Sequence, residues 1–371
     1  MEQFLSTHYT LRVNLLRQIT EFAEAGTQDF RPLDTMALNT IYWHLRREKV
    51  AVRFHDLECY LYSGFLPQYH PFHSYMEQLP AWDGRDRVTP LAHRVSHDPL
   101  WTQVFRIWMR GLAAQWMGHP MQAANSMVPI LMSERQGLRK STFCRLLMPP
   151  ELDIYYLDKL DFTQAGEYDR MMAQFGLINL DELDRYSPAA MARFKSATQM
   201  KHIVGHSTRT NLITHTARLA SFIATTNVRR ILRDRTGSRR FFCQEVTAPI
   251  SCRPINHSQL YAQLRAEVLR GDRTWFNKQE EARIQQHNAA YYALTPIQEV
   301  VLRHFRPTAP SEGQPPLTSR TIYDTLYASH PTLLQDIRLC DFGKQLHTLF
   351  PMTPRRHDGH QFYAAPLKPV S

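Results

Sequence analysis

The sequence predicts an α/β fold in which helices cover a parallel sheet, with a smaller module on either side of it along the chain. Three short apolar runs indicate the sheet: "NSMVPILMS", "FGLINLDELD" and "RLASFIATTN". Each run ends in polar residues, which is typical of buried parallel strands whose polar residues emerge at the carboxyl end. The 371 residues are also enough for more than one domain, at roughly 100–200 residues per domain.

Residues 1–95 are predicted to form a mixed α+β module. The segments "YTLRVNLL" and "QITEFAEAG" alternate apolar and polar side chains, which indicates a hairpin. The following segment, "LDTMALNTIYWHLRRE", spaces its apolar residues as an amphipathic helix does, with Asp34 at the N-cap position.

Residues 96–270 are predicted to contain the sheet. A helix over "LWTQVFRIWMRGLAAQWMG" opens this domain, because large apolar residues recur there every three or four positions. The first strand, a loop and a helix over "KSTFCRLL" come next, and Pro149 and Pro150 end that helix. Strand, loop and helix in this order are what a phosphate-binding loop (P-loop) requires.

Residues 271–371 are predicted to form a C-terminal domain that is helical and then resembles a winged helix. A helical pattern extends to Phe305, and residues 306–316 form a proline-rich loop. Helices are expected over "TSRTIYDTLYASH" and "CDFGKQLHTLF", followed by two strands joined at Asp358 and Gly359.

The charge of the chain favours a polyanionic partner. Lys and Arg number 44 against 34 Asp and Glu, which gives a net charge of +10. Nine Lys or Arg and no carboxylate lie between Asp184 and Asp234. We therefore expect contacts with the phosphate backbone of DNA, single-stranded or duplex, from loops in 195–217 and from the predicted wing; a solvent-facing loop is the alternative for 195–217. The candidates are Lys195, Lys201, Arg209, Arg355 and Arg356.

Cysteine usage and hydropathy predict a soluble cytoplasmic protein without a membrane partner. The five cysteines include no C-x-x-C pair, so neither a disulfide framework nor a zinc ribbon is indicated. No uncharged apolar run reaches the ~18 residues of a membrane span, and the N-terminus lacks a basic segment followed by an apolar one.

The loop "SERQGLRKSTF", residues 133–143, departs from the strict P-loop pattern G-x-x-x-x-G-K-[ST], since Glu134 and Arg139 occupy its two glycine positions. In a P-loop, backbone N–H groups surround the β-phosphate, a lysine reaches the β- and γ-phosphates, and a hydroxyl binds Mg²⁺. A left-handed non-glycine residue costs about 1–3 kcal/mol, which the remaining contacts could offset. An ordinary basic loop is the alternative. The residues predicted to bind ATP are Gln136, Gly137, Arg139, Lys140, Ser141 and Thr142.

Polar residues at two other strand ends are predicted to belong to the same site. Asp181 would hold Mg²⁺ together with Ser141, and Glu182 would polarise the attacking water. Asn227, after the third apolar run, would sense the γ-phosphate or help to orient the water. Alone, Asp181 and Glu182 are equally compatible with a solvated strand end, and Asn227 alone is better explained as a turn asparagine. The order and spacing of all three along the chain favour one site.

An arginine-rich segment follows the third strand, with six arginines in residues 229–240. Arginine is suited to stabilising charge on a transferring phosphoryl group, either in cis or from a neighbouring subunit. Arg239 and Arg240, presented by a turn at Gly237, are the candidates, and Arg218 is a weaker one. A solvated basic loop is the alternative.

Several motifs together resemble the virulence-associated protein E family of phages, plasmids and integrated elements, which is related to superfamily 3 helicases and to the AAA+ class. In chain order they are "HPFHSYMEQLPAWDGRDRV", "QGLRKSTF", "LINLDELD", "SFIATTN" and "RTGSRRF". The resemblance covers roughly residues 70–290 and implies a P-loop ATPase core of the AAA+ and superfamily 3 type. It also implies phosphate binding by Gly137, Lys140 and Ser141, Mg²⁺ binding and water activation by Asp181 and Glu182, sensing by Asn227, and an arginine role for Arg239 or Arg240.

These observations predict an ATP-dependent DNA-handling motor of a mobile genetic element, built as a helicase-like ring of identical subunits, for which a hexamer is one expected form. The alternative is a nucleotide-binding DNA scaffold or regulator that hydrolyses ATP weakly or not at all, which Arg139 favours. A small-molecule P-loop kinase would explain neither the acid-free stretch nor the C-terminal region.

Overall fold

The computed structural model of the chain describes residues 1–206, 213–233, 238–353 and 361–367. It divides into two compact units, Met1–Tyr291 and Tyr292–Ser371. The first unit contains the mixed module and the large sheet. The finer division at residues 95 and 270 stays a prediction.

The mixed module at the start of the first unit has a four-stranded sheet, in the order β3-β2-β1-β4, with helices packed on it. Strands β1 and β2 form the predicted antiparallel hairpin. Asp34 caps the next helix as predicted, because its carboxylate accepts a hydrogen bond of 2.8 Å from the backbone N–H of Ala37. The elements are α1 (Glu2–His8), β1 (Tyr9–Asn14), β2 (Ile19–Glu24), β3 (Arg31–Pro32), α2 (Thr35–Arg47), α3 (Phe54–Leu61) and β4 (Gln68–Tyr69).

The large sheet has five parallel strands in the order β11-β5-β10-β7-β6, which confirms the predicted α/β class with a parallel sheet. The three apolar runs form β5, β10 and β7, and every residue of these strands is buried. The elements are α4 (Pro71–Glu77), α5 (Val88–His93), α6 (Pro99–Trp116), β5 (Val128–Met132), α7 (Lys140–Leu146), β6 (Tyr156–Asp158), α8 (Ala165–Gln174), β7 (Leu177–Leu180), α9 (Pro188–Ala197), β8 (His202–His206), β9 (Ile213–Ala217), β10 (Ser221–Thr226), β11 (Phe241–Glu245), α10 (His257–Leu269) and α11 (Lys278–Asn288).

The segment 195–217 is not the loop that the sequence analysis expects. It contains the end of α9 and the antiparallel pair β8 and β9, in which His202 pairs with Ala217 and His206 with Ile213. Both strands contain β-branched residues, which favour extended backbone. That β-branched content was the available signal for a hairpin.

Helix α6 is the centre of the main hydrophobic core. Trp101, Phe105, Trp108 and Trp116 on this helix are completely buried. The ring of Trp101 stacks on that of Phe242 in β11, with ring centroids 6.0 Å apart, so the helix lies against the sheet. The predicted helix is therefore confirmed, and the burial of its large side chains anchors the sheet from one side.

The second unit, described by itself, has helices over both of the segments predicted to be helical. Its two described strand pairs are β12 with β15 and β13 with β14, and the turn predicted at Asp358 and Gly359 lies outside the described residues. The elements are α12 (Pro296–His304), β12 (Phe305–Pro307), β13 (Leu317–Thr318), α13 (Ser319–Tyr327), α14 (Pro331–Leu334), α15 (Leu339–Leu346), β14 (Gln361–Phe362) and β15 (Ala364–Pro366).

None of the helices in the described part of the chain combines the length and apolar character needed to cross a membrane.

The Trp-Asp-Gly turn, residues 82–84, is a structural clasp. Both carboxylate oxygens of Asp83 accept hydrogen bonds of 2.6 Å from Arg87, and these bonds hold the pKa of Asp83 below its ordinary value. Gly84 has a φ of +82°, which a residue with a side chain adopts only with strain. The side chains of Gln259 and Gln263 on α10 accept from the backbone N–H groups of Asp83 and Arg87. The turn is thereby attached to α10.

Glu267 extends this clasp into the protein interior. Its side chain is 2% exposed and accepts from Arg106 at 2.7 Å and from Arg110 at 2.6 Å, both on α6. Gln263 donates a third hydrogen bond of 2.9 Å to the same carboxylate. One carboxylate therefore joins α6 to α10 beneath the Trp-Asp-Gly turn.

We expect Glu267→Ala to lower the free energy of unfolding by about 3 kcal/mol, because it removes the buried carboxylate that pairs with both Arg106 and Arg110. Arg106 keeps its more exposed partner Asp86, which cannot replace the buried contact to α10. Urea denaturation followed by circular dichroism measures the change. The control is Asp153→Asn, which breaks the exposed pair with Arg145 (2.6 Å) and should change stability by less than about 1 kcal/mol. Equal losses in the two variants would contradict the clasp.

Candidate active site

The residues predicted to bind the nucleotide line one cleft of about 250 Å³ at the carboxyl edge of the large sheet, together with Asp181, Glu182 and Asn227. Strands β5, β10 and β7 end side by side there, and the cleft is lined by residues at or beyond these strand ends. The lining residues are Gln136, Gly137, Leu138, Arg139, Lys140, Ser141, Thr142, Asp181, Glu182, Thr225, Thr226 and Asn227.

Arg139 adopts the backbone conformation that a glycine would have at its position. Its φ and ψ are +62° and +30°, in the left-handed region, and it directly precedes α7. Gly137 has a φ of +77°, so the loop uses left-handed backbone at both positions. Glu134, at the other glycine position of the pattern, is not among the described residues with positive φ. Only one of the two replaced glycines is therefore strained.

Lys140 is held beneath the loop by the ends of two strands. Its side chain is 9% exposed, and its Nζ donates to Ser133 Oγ at 2.6 Å and to Asn227 Oδ1 at 2.8 Å. Met132 pairs with Thr226, so the next residue on each strand comes to the same level and reaches the lysine. Burial lowers the pKa of Lys140 from its ordinary value, and the negative charges of Asp181 and Asp184 oppose that shift.

Asp181 is the acceptor at the centre of the cleft. Its Oδ1 accepts a hydrogen bond of 2.7 Å from Ser141 Oγ and another from Thr225 Oγ1. Because Ala224 pairs with Leu180, the following residues of β10 and β7 meet at this point. The predicted pair of Ser141 and Asp181 is therefore in direct contact.

Glu182 lies in the cleft wall on strained backbone. Its φ is +55°, and its carboxylate forms an ion pair of 2.9 Å with the exposed Arg185. Backbone strain of this kind is concentrated at functional sites. The carboxylate is held by its own segment, and Glu182 lines the same cleft as Asp181.

Three residues of this site were not singled out from sequence. Ser133 and Thr225 bind Lys140 and Asp181 as described, and Thr226 Oγ1 donates a hydrogen bond of 2.6 Å to Asp184. The available signal was their position, since each occupies or directly follows the end of a buried strand. Serine and threonine are common at strand ends, so position alone does not single these residues out. Their roles could be assigned only once the neighbouring strands were known.

The oxygen atoms that the cleft offers as metal ligands fit a magnesium ion that is also bound to the phosphates of a nucleotide. Ser141, Asp181 and Thr225 offer only hydroxyl and carboxylate oxygens. Within the described residues, no group of three or more His, Cys, Asp or Glu side chains is arranged to hold a metal. Mg²⁺ commonly uses one or two carboxylates and completes its coordination with phosphate oxygens and water.

Arg239 and Arg240 lie away from the cleft. They directly precede β11, and Phe241 at its start pairs with Val128 at the start of β5, so both arginines are at the amino edge of the sheet. The cleft begins after Met132, which places it one strand length, about 16 Å, along the sheet. Arg239 is exposed and Arg240 is half-buried. Of the two predicted roles for these arginines, action within the same subunit is not supported by this position.

Arg218, the weaker arginine candidate, is a structural residue instead. It is 2% exposed, and its guanidinium donates to the backbone carbonyls of Met200, Ala220 and Asn125 at 2.8 to 3.0 Å. Burial lowers the pKa of Arg218 to about 9. A guanidinium enclosed in this way cannot reach a phosphate, so this expectation is wrong.

The residues predicted to contact DNA differ in how exposed and how well paired they are, and three of them lie outside the described residues. Lys195 is half-buried on α9. The Nζ of Lys201 donates to the backbone carbonyls of Met121 at 3.1 Å and Gln122 at 2.6 Å, so this ammonium already has partners. The others, Arg209, Arg355 and Arg356, lie outside the described residues.

The family model of the virulence-associated protein E-like domain matches residues 76–293, which include the whole cleft. The chain belongs to the virulence-associated protein E-like family. This confirms the resemblance stated from the motifs. The matched range contains the Trp-Asp-Gly clasp as well as the cleft, so the family's domain comprises both the site and a structural element that holds α6 and α10 together.

Among solved structures, this member of the virulence-associated protein E-like family is similar to the apo C-terminal region of NrS-1, residues 305–718 of that protein, with 11% sequence identity and a TM-score of 0.45. The alignment covers 95% of this chain and 86% of that chain. A second apo structure of that region, in the A form, gives a TM-score of 0.44 at the same identity and coverage. No curated protein sequence matches the chain.

We expect Arg139→Gly to raise the free energy of unfolding by about 1 kcal/mol, because glycine adopts left-handed backbone without a steric cost. Gly137→Ala is the matched opposite change: a Cβ there meets nothing within 4 Å, so only the positive φ opposes it. It should lower stability by about 1 kcal/mol. Urea denaturation measures both. A loss of stability in Arg139→Gly would mean that the arginine side chain makes a compensating contact.

Proposed function

We propose that this protein is an ATP-dependent DNA-handling motor, a helicase-like ring ATPase of a mobile genetic element. One observation carries the proposal: Lys140, Ser141, Asp181, Glu182 and Asn227 line the same cleft at the carboxyl edge of a parallel sheet. A buried cation, an acid pair and an amide in one cleft are the groups that phosphoryl transfer from a nucleoside triphosphate needs. Family membership and the net charge of +10 support the association with DNA.

Each cleft residue has a role that follows from its contacts. Lys140, freed from Ser133 and Asn227, would pair with the β- and γ-phosphates. Ser141 and Asp181 would hold Mg²⁺, which when bound neutralises phosphate charge. Glu182 would orient and polarise the attacking water, and Asn227 would contact the γ-phosphate.

The wider architecture is proposed on the same basis. The strand-loop-helix unit of β5, residues 133–139 and α7, next to strands that supply an acid pair and an asparagine, supports a P-loop core. In the second unit, α12, α13 and α15 form a core with short strands, and this composition supports a winged helix. Such a domain would present α15 or the segment around Arg355 and Arg356 to duplex DNA or to a partner.

The opposite placement of the cleft and the arginines supports assembly into a ring. A cleft at one edge of the sheet and an exposed arginine at the other cannot serve the same nucleotide within one subunit. In a head-to-tail ring, Arg239 of one copy would reach the cleft of the next. We therefore propose that Arg239, with Arg240 beside it, acts in trans.

Nucleotide binding and turnover test the cleft. Lys140→Ala should weaken binding of a fluorescent ATP analogue about a hundredfold, because it removes a buried cation facing the phosphates. Glu182→Gln should retain binding and slow phosphate release about a thousandfold, with or without single-stranded DNA, because an amide cannot accept the water proton. Glu134→Ala is the control, since this residue belongs to the loop and does not line the cleft.

The outcomes separate the two functions predicted from sequence. Binding without turnover in the native protein, alongside intact DNA binding, would identify the scaffold or regulator, which Arg139 continues to favour as the second candidate. Absence of binding at saturating ATP and Mg²⁺ would overturn both.

A mixing experiment tests the arginine in trans. Arg239→Ala and Glu182→Gln should each be nearly inactive alone. In an equal mixture, about one quarter of the contacts between subunits should join an intact cleft to an intact arginine, and activity should return at those contacts. Phosphate release from the mixture measures this. Activity no greater than the average of the two separate variants would contradict action across subunits.

A further inference from the structure

The solvent face of α2 carries large apolar side chains that the fold does not use. This helix buries Leu38, Ile41 and Leu45 against its module, so the opposite face should be polar. Instead, Met36 is 75% exposed and Trp43 is 63% exposed. A contiguous exposed apolar patch marks an interaction surface, and Met36 and Trp43 line the same groove.

These side chains line a broad groove of about 720 Å³ together with polar and basic neighbours. Asn39, Thr40 and Arg47 lie at helical spacing with Met36 and Trp43, and all of them belong to the groove. No carboxylate lines it. The groove therefore combines a flat aromatic ring, hydrogen-bonding side chains and a cation on one surface.

The chain that follows Trp43 adds more positive charge. Arg46, Arg47, Lys49 and Arg53 are exposed, and none of them forms an ion pair with any residue in the described ranges. Glu48 is the one acid between Trp43 and Arg53. The helix dipole accounts for two arginines in the last turn, but not for cations beyond the helix end or for the exposed tryptophan.

We propose that this surface, α2 and the basic segment up to Arg53, binds single-stranded nucleic acid. Trp43 would stack on an unpaired base, and the unpaired cations would contact successive phosphates. A duplex offers no free base face to the tryptophan. A second copy of the chain fits less well, because a symmetric contact would bring two sets of unpaired cations together.

This surface is separate from the nucleotide cleft. It lies outside residues 76–293, which the family's domain covers, and its binding needs no ATP hydrolysis. Binding at this surface and the proposed motor activity share only the polyanionic partner.

Fluorescence anisotropy with a labelled oligo-dT, without ATP, tests the surface in the full chain. Trp43→Ala should weaken binding about tenfold, and Arg46→Ala with Arg47→Ala should also reduce the slope of log affinity against log salt by about 1.4. The controls in the same module are Phe65→Ala, an aromatic that is 84% exposed, and the exposed Arg17→Ala; neither should change affinity. All changed side chains are exposed, so circular dichroism spectra should match.

Crosslinking with 4-thiothymidine in the oligonucleotide locates the contact. Adducts on the peptide containing Trp43, identified by mass spectrometry, would support the proposal. The proposal is overturned by a result in which the oligonucleotide binds, every adduct maps outside residues 35–53, and Trp43→Ala binds like the native protein. The DNA-handling proposal would stand after that result. A variant that changes the sedimentation coefficient but not the oligonucleotide affinity would identify the face as a contact between copies, which also overturns the proposal for this surface.

Discussion

The parallel register of β5, β10 and β7 is the constraint on which the cleft depends. Because Met132 pairs with Thr226 and Ala224 with Leu180, the residues just beyond these strands arrive at one level of the sheet. Lys140 is then held by the ends of two strands, and Asp181 meets the hydroxyls of Ser141 and Thr225. A shift of one residue in any of the three strands would turn these side chains to the other face of the sheet and separate the cation from the acids.

Around this register, the core holds the strands in place. Helix α6 packs Trp101 against Phe242 of the sheet, and Glu267 joins the helix to α10 under the Trp-Asp-Gly turn. This connection explains why a signature far from the loop in sequence belongs to the same domain. Arg139 and Glu182 have positive backbone φ, and each lies between the end of a strand and the start of a helical segment, which together define the path of the chain.

The two edges of the sheet have different roles in the proposed motor. The carboxyl edge holds the cleft, and the amino edge holds the arginines before β11. In that proposal, a neighbouring copy brings the arginines of one edge to the cleft of the other. The exposed tryptophan and cations of α2 form a third surface, in a module that the family's domain does not cover, and this surface would let the protein contact a strand independently of the nucleotide.

The fold class, the cap at Asp34, the three central strands and most of the cleft residues were predictable from the sequence, because burial periodicity and strand-end polarity are local signals. Which strand ends are neighbours could be seen only in the folded chain, and this arrangement revealed the roles of Ser133, Thr225 and Thr226. The tertiary structure also decided that Arg218 is enclosed by carbonyls, that Lys201 has backbone partners and that 195–217 contains a hairpin. A side chain's availability depends on which distant backbone groups surround it, and the order of strands in a sheet is set by packing between segments that are remote in the chain.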